Sequence, residues 1–562
     1  MARSVIDPIT RIEGHLRAEM EVENGVVTNA WVSGGCFRGM ELVVQNRTPE
    51  DAAHIVQRIC GVCPVSHSHA STIAAEKAYG ITISNNARVI RNLIEGAQFL
   101  HSHILWFYTL AALDYVNPLN ALKANVGSAY DLVEAAGTGC SSDLKALQER
   151  LTKFAENGQM SIFSGNWWKN GQADTELKLP AELDLIATAH YIEALTMQSK
   201  ASEICALLGG KMPHVMTIVP GGTAFVPTEE KLDDLYALVN ELYTWVKATI
   251  LPDTKAIAPY YTDALKFGKG VGRYVAWGVF EAPSFEMSER YLPSGVISDD
   301  LKLSEVEPDK IKEYIGHSWY KGDSDLDPRE GVTEPEYTEY YKSGTMFTEN
   351  GHEYGEINDR YTWSKAPSYD GKPHEAGPFS RVLAAYLRGN ASIKTKVDGL
   401  LKDLGLQLPQ LQSTLGRVAA RNVETLYVAE CMVEWVNELI AAVKGGDSEY
   451  FRQPSTITGQ GLGLWEAPRG ALLHTEKVDN GKITDYQIII PTTWNIAPIN
   501  KNGEHGPMEQ ALIGTPVEDV EMPINCLRTV HSYDPCTACA VHVTEPSTGK
   551  HFETVTSPWG VK

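Results

Sequence analysis

Long uninterrupted apolar runs are missing from these 562 residues, and Met1 to Asp7 carry no apolar core of the kind that opens a secretory leader. The chain by itself reads as soluble, with any export left to a partner's signal. Cysteine is scarce, since nine in so long a chain are too few for a disulfide framework. Basic residues are in deficit, 49 Lys and Arg against 71 Asp and Glu, for a formal charge of −22. That field repels phosphate backbones and anionic lipid heads, which excludes nucleic acid as a partner. No fixed-period repeat or low-complexity tract divides the chain.

Five cysteines, Cys36, Cys140, Cys205, Cys431 and Cys526, stand alone and read as ordinary core or surface residues. The other four form two Cys-x-x-Cys pairs: Cys60 and Cys63 in Arg58-Ile59-Cys60-Gly61-Val62-Cys63, and Cys536 and Cys539 in the stretch Asp534 to His542. Two thiolates at i and i+3 project to one side and are soft ligands, so the pairs suggest one four-thiolate metal site. The fold must then bring the two ends of the chain together. A closed zinc staple is the commonest use of such pairs, although a chain this large can fold without one. Zinc and a catalytic metal both stay open on spacing alone.

The fold class predicted is mainly α, or α+β: a central bundle of long helices with a small N-terminal antiparallel sheet and irregular segments wrapped around it. From Ser4 to about Val44 the pattern alternates around an Asn24-Gly25 turn, as in paired strands. Thr48, Pro49, Glu50 and Asp51 are a helix start with cap, first-turn proline and acids. That helix should deliver the first cysteine pair and end or kink at Pro64. Further helices are expected near 86–115, 182–208, 229–250 and 411–444. Residues 252–409, rich in Gly, Pro, Tyr and Asp, read as irregular, with a strand-like run at 274–280. A second strand-like run covers Tyr486 to Trp494, and Val543 to Lys562 reads as a polar tail.

Together the cysteine motifs, Asp7 to His15, Arg38 to Glu41, Gly209 to His214, Glu466 to Gly470 and Pro491 to Asn495 resemble, in order and over essentially the whole chain, the large catalytic subunit of nickel–iron hydrogenases. The resemblance implies reversible heterolysis of dihydrogen at a nickel–iron centre, of the uptake or membrane-associated type. Nickel would be held by Cys60, Cys63, Cys536 and Cys539, and iron, carrying cyanide and carbon monoxide, by Cys63 and Cys539. Catalytic roles fall on Cys536 as first proton acceptor, Glu13 as the relay and Arg469 over the metals. A magnesium ion would take Glu41, the carbonyl of Ile488 and His542. His67, Thr492, Asp534 and Pro468 would support these ligands from behind.

Taken without the resemblance, Glu13 reads as a partner of Arg11 or Arg17, Glu41 as a partner of Arg38, Arg469 as a surface cation and His67 as a core histidine. Ser102 and Trp106 depart from the family, where Asp and His are often found. The resemblance further implies an iron–sulfur small subunit as electron acceptor, because no grouping of the remaining cysteines could hold a cluster. A maturation endopeptidase and a chaperone are implied as well, with a membrane cytochrome or quinone-linked subunit as a possible further partner. The implied single domain is residues 1–542, with 543–562 removed on maturation, and the implied location is the periplasmic side of the membrane, with the cytoplasm as alternative. A hydrogen-sensing relative and a zinc-stapled binding protein are the other readings.

Overall fold

A computed structural model describes residues 2–35, 37–160, 175–337, 360–454 and 456–537. The N-terminal strands β1 (Ala2–Ile6), β2 (Leu16–Glu23) and β3 (Val26–Gly34) form an antiparallel sheet in the order β1-β2-β3. Its inner face, with Leu16, Ala18, Met20, Val27 and Val32, packs against residues from the other end of the chain, including Leu512, Leu527 and Val530. The N-terminal sheet and residues drawn from 496–533 thus share one small core.

Helices follow in series: α1 (Pro49–Ile55), α2 (Pro64–Tyr79), α3 (Asn85–Ile104), α4 (Val126–Ala136), α5 (Leu144–Glu156), α6 (Ala181–Gly209) and α7 (Glu229–Ile257). Their starts are written locally. Thr48 accepts from Asp51 N, Ser84 from Ala87 N and Thr228 from Lys231 N, each satisfying an amide that the first turn leaves without a partner. The pattern read as one helix over 86–115 is α3 continued by a π-helical segment, Leu105–Ala111, and a 3-10 turn to Asp114. With α10 (Thr414–Lys444), the helices α3, α6 and α7 surround the largest apolar core, in which Ile90, Phe99, Ile204, Leu242, Val428 and Trp435 are buried.

Three sequence expectations need correction. Residues 252–409 are not merely irregular: they hold α8 (Pro378–Leu387), α9 (Ala391–Leu404) and several short strands, among them Tyr274–Ala276 paired with Gly295–Ile297. The strand read to Trp494 stops at Ile489, because Pro491 opens a short helix, Pro491–Asn495. Nor does α1 carry the cysteine pair. It gives way to a 3-10 turn, Val56–Ile59, Cys60 is extended, and Pro64 begins α2 directly after Cys63.

The C-terminal meander, β4 (Gly459–Ala467), β5 (Gly470–Asp479) and β6 (Lys482–Ile489), lies against α2. Gly459, Gly461 and Gly463 alternate along β4 and face Ala78, Ala74 and Ala70, spaced by one turn along α2. A Cβ on any of these glycines would run into the opposing alanine carbonyl. Strand period two and helix period four meet here at backbone contact distance. Helix α11 (Ile524–Ser532) then leads to Cys536. Among the described residues no helix is long and apolar enough to cross a membrane.

Candidate metal centre

Cys60, Cys63 and Cys536 are buried and meet with their sulfurs within 4.8 Å of one another. Cys60 Sγ and Cys536 Sγ are 3.3 Å apart, and no described cysteine is in a disulfide. The turn between the 3-10 segment Val56–Ile59 and α2 aims the amides of Val62 and Cys63 at Cys60 Sγ, at 3.3 and 3.1 Å, which favours a thiolate there. On the other side Thr492, in the turn that replaces the expected strand end, accepts from Cys536 N at 3.0 Å. Its hydroxyl proton stays available to donate elsewhere. The remaining predicted ligands Cys539 and His542 lie outside the described residues.

Glu13 reaches this cluster through backbone pairing. The loop between β1 and β2 forms a parallel bridge with Cys536, Thr537 N donates to Glu13 O at 2.6 Å, and the Cys536 thiol points to Glu13 Oε2 at 3.5 Å. The charges around Glu13 hold its loop in place. Arg11 donates to Asp114 and to Leu110 O, both at 2.5 Å, while His531 bonds Asp114 Oδ2 at 2.6 Å and Thr10 O at 2.8 Å. Burial opposes ionisation of Asp114, but Arg11 and His531 hold its carboxyl well below the ordinary range. Arg17 pairs with Glu19.

Arg469 sits at the tight turn between β4 and β5 and is 1 % exposed, so the surface-cation reading fails. Its Nη2 donates to Asp534 Oδ1 at 3.0 Å and its Nη1 to Ser102 Oγ at 3.3 Å. Burial works against its charge, yet Asp534 and then Cys536, Cys63 and Cys60 in their thiolate forms raise its pKa well above the usual value. The turn is clamped from behind by Arg381, which donates to Pro468 O at 2.8 Å, Ala467 O at 3.0 Å and Glu466 Oε2 at 2.7 Å, and grips Glu424 with two bonds. His103 completes the brace through Glu424 Oε2 at 2.8 Å. Asp534 also faces Arg421, 4.0 Å away, whose guanidinium lies 4.0 Å over Trp106.

His67 is fully buried, but its Nδ1 contacts His474 Nε2 at 3.1 Å and its Nε2 has no partner among the described residues. Burial lowers its pKa to about 4, leaving a neutral ring beside Cys60. Glu41 does not pair with Arg38, which donates to Ile59 O. It accepts from Ile488 N at 3.0 Å and from the Thr333 hydroxyl, and Lys365 Nζ stands 3.8 Å away. Glu313 flanks Lys365 at 3.7 Å, and burial pushes its pKa up to about 7. Glu41, Glu313, Lys365 and Ile488 line a cavity of about 70 Å³, room for several waters.

Sequence reasoning missed Arg381, Glu424, Arg421, Glu313 and Lys365. None carries a local motif, and each becomes visible only as a buried charge in the folded chain.

Comparison with known proteins agrees with this geometry. Residues 38–542 match the pattern of the family described as nickel-dependent hydrogenase. The Hydrogenase-2 large chain of Escherichia coli (strain K12) is 37 % identical, over 97 % of both chains. The uptake hydrogenase large subunit of Rhizobium leguminosarum bv. viciae is 38 % identical, over 97 % of this chain and 96 % of that one. Among solved structures, the Ni-Fe-Se hydrogenase from D. vulgaris Hildenborough in the reduced state superposes with a TM-score of 0.78 at 34 % identity, covering 96 % of this chain and all of the other. The chain therefore belongs to the nickel-dependent hydrogenase family, oxidoreductases acting on dihydrogen.

Proposed function

We propose that this chain is the catalytic large subunit of a nickel–iron hydrogenase that cleaves dihydrogen reversibly and heterolytically and passes the electrons to an iron–sulfur small subunit. The observation that carries the reading is the Cys536 thiol, seated in a buried cluster of three and pointing to the Glu13 carboxylate at 3.5 Å. The donor set fits the implied metals: soft sulfur ligands, excluded from water, with amides already directed at one of them. Cys60, Cys63, Cys536 and Cys539 would hold nickel, with Cys63 and Cys539 shared by an iron bearing cyanide and carbon monoxide. When bound, the pair supplies the two-electron redox chemistry that thiols alone lack.

The residues of this chain handle proton and charge. Cys536 Sγ takes the first proton, and Glu13 accepts it and relays it outward. Arg469 holds a permanent positive charge beside the thiols, fixed in direction by Asp534 and in position by the Arg381 clamp on Pro468. Thr492 anchors the Cys536 backbone and keeps a proton to donate to a cyanide. Glu41, the Ile488 carbonyl and His542 would take magnesium, a hard cation suited to the carboxylate and to the waters that the adjoining cavity admits. His542 closes the mature domain 1–542, and loss of Val543 to Lys562 to an endopeptidase, after chaperone-assisted metal insertion, completes the subunit. Export with the small subunit would set the complex on the periplasmic side of the membrane.

Glu13→Gln in the assembled two-subunit enzyme tests the relay. Dihydrogen-dependent dye reduction should fall at least about a hundredfold, while nickel content and the infrared bands of the iron's diatomic ligands stay unchanged. Full activity in that variant would show that the proton leaves by another group.

A further inference from the structure

Two buried guanidinia, Arg469 and Arg421, face one carboxylate, Asp534, two residues before Cys536. Asp534 Oδ1 accepts from Arg469 Nη2 at 3.0 Å, while Oδ2 has no hydrogen-bond partner among the described residues and Arg421 Nη2 stands off at 4.0 Å. A two-bond grip on a carboxylate is the strongest pairing a guanidinium makes, and Arg421 does not make it. Its guanidinium lies instead 4.0 Å from the centre of the Trp106 ring, and its Nη1 donates to Ser532 O at 3.2 Å. Its Nε has no partner among the described residues.

Trp106 reaches this place through a change of helix. After Ile104, α3 passes into the π-helical segment Leu105–Ala111, and the buried indole donates from Nε1 to His531 O at 3.0 Å. His531 and Ser532 end α11, so indole and guanidinium both close on carbonyls of that helix's C-terminus, where a cation is favoured. In a dry interior the face of an indole attracts a guanidinium strongly. Ser102, one turn before Trp106 on α3, accepts from Arg469 Nη1 at 3.3 Å. The two positions where the chain departs from the family's Asp and His therefore touch the two guanidinia, one each.

We propose that Trp106 is a positioning residue: its ring holds Arg421 off Asp534 and so reserves that carboxylate for Arg469. The inference rests on the nickel–iron reading above, in which Arg469 stands over the metals. Without the ring, Arg421 is free to close the gap and grip Asp534 with two donors. Such a grip takes both carboxylate oxygens and brings a second cation towards Arg469, which weakens the bond from Arg469 Nη2 to Oδ1. The backbone of Arg469 stays in place, because Arg381 clamps Pro468 O at 2.8 Å, but its guanidinium loses its direction. Ser102 offers a neutral acceptor and cannot replace the lost carboxylate.

The test uses the assembled two-subunit enzyme, with dye reduction, nickel analysis and the infrared bands of the iron's diatomic ligands. Trp106→Phe keeps an aromatic face and should hold turnover and bands close to wild type. Trp106→Leu removes that face: with nickel content retained, its cyanide stretches should shift and its turnover should fall at least about tenfold. Adding Arg421→Met to Trp106→Leu removes the competitor, so the bands and most of the turnover should return. Unshifted bands in nickel-loaded Trp106→Leu, a double variant no better than the single one, or a Trp106→Phe enzyme as impaired as Trp106→Leu would overturn the assignment. Trp106→Met, also without an aromatic face, is read in the same way if Trp106→Leu does not fold. Wild-type enzyme lacking the bands altogether would overturn the nickel–iron reading and this inference with it, whereas bands that are present but blind to Trp106 overturn the inference alone.

Discussion

Arg469 illustrates how a single residue acquires its role from its surroundings. A guanidinium at a strand turn is ordinarily solvated, but here one carboxylate, Asp534, serves both it and Arg421. Burial lowers the pKa of Arg421 to about 10 despite the opposing pull of Asp534. Ser102 supplies Arg469 with a hydroxyl acceptor and no further negative charge. The fork of donors therefore matters as much as the charge, and lysine cannot reproduce it. Arg469→Lys should lower turnover about a hundredfold with nickel and iron retained, as read by dye reduction and metal analysis; equal turnover would remove Arg469 from the machinery. His190, buried on α6 with its Nδ1 bonded to Asp253 Oδ2 at 2.7 Å, gives a second prediction at this scale. Its folded pKa of about 10 exceeds the ordinary 6.5, so its contribution is complete below pH 6.5 and is lost as pH rises towards 10. Relative to wild type, His190→Gln should be destabilised by a few kcal/mol at pH 6.5 and below, and the gap in thermal midpoints should narrow between pH 6.5 and 10.

At the scale of elements, the seam between α2 and β4 decides where the first cysteine pair sits. Because Gly461 faces Ala74 at backbone contact, Gly461→Val should force the two apart, costing about 1–3 kcal/mol or more. The variant should show a lower thermal midpoint and reduced nickel content; wild-type values for both would mean that the contact is slack. Much at this scale is legible in sequence. Thr48 and Pro49 announce α1, and the helices expected at 182–208 and 411–444 match α6 and α10 closely, whereas α7 runs past the expected end at 250 to Ile257. What stays hidden is set by partners distant in sequence. The buried charges Arg381, Glu424 and Lys365 look like surface residues until their counter-ions arrive from other elements, and α8 and α9 are short helices inside a stretch whose Gly and Pro content suggests irregularity. The strand at Tyr486 was legible, but its end was misjudged because Pro491 starts a helix as readily as it stops a strand.

Over the whole molecule, the N-terminal sheet and α11 share a core that draws Cys536 to Cys60 and Cys63 across nearly the full length of the chain. The cysteine spacing made that convergence legible from sequence, whereas the route by which the fold achieves it was not. Among the described residues the thiol trio is the sole cluster of metal-binding type, and Cys140, Cys205, Cys431 and Cys526 are scattered singly. In the proposed division of labour, electrons released at the centre pass to a second chain. The purified active enzyme should therefore contain a second subunit with iron–sulfur absorption, and this chain expressed alone should lack that absorption. A fully active single chain would contradict the division of labour.

The most direct measurement is infrared spectroscopy, with nickel and iron analysis, on the mature complex lacking Val543 to Lys562. A nickel–iron centre held by the four cysteines should give cyanide and carbon monoxide stretches with one nickel per chain, and both should vanish in Cys536→Ser. Zinc in place of nickel, with no such bands, would contradict the assignment.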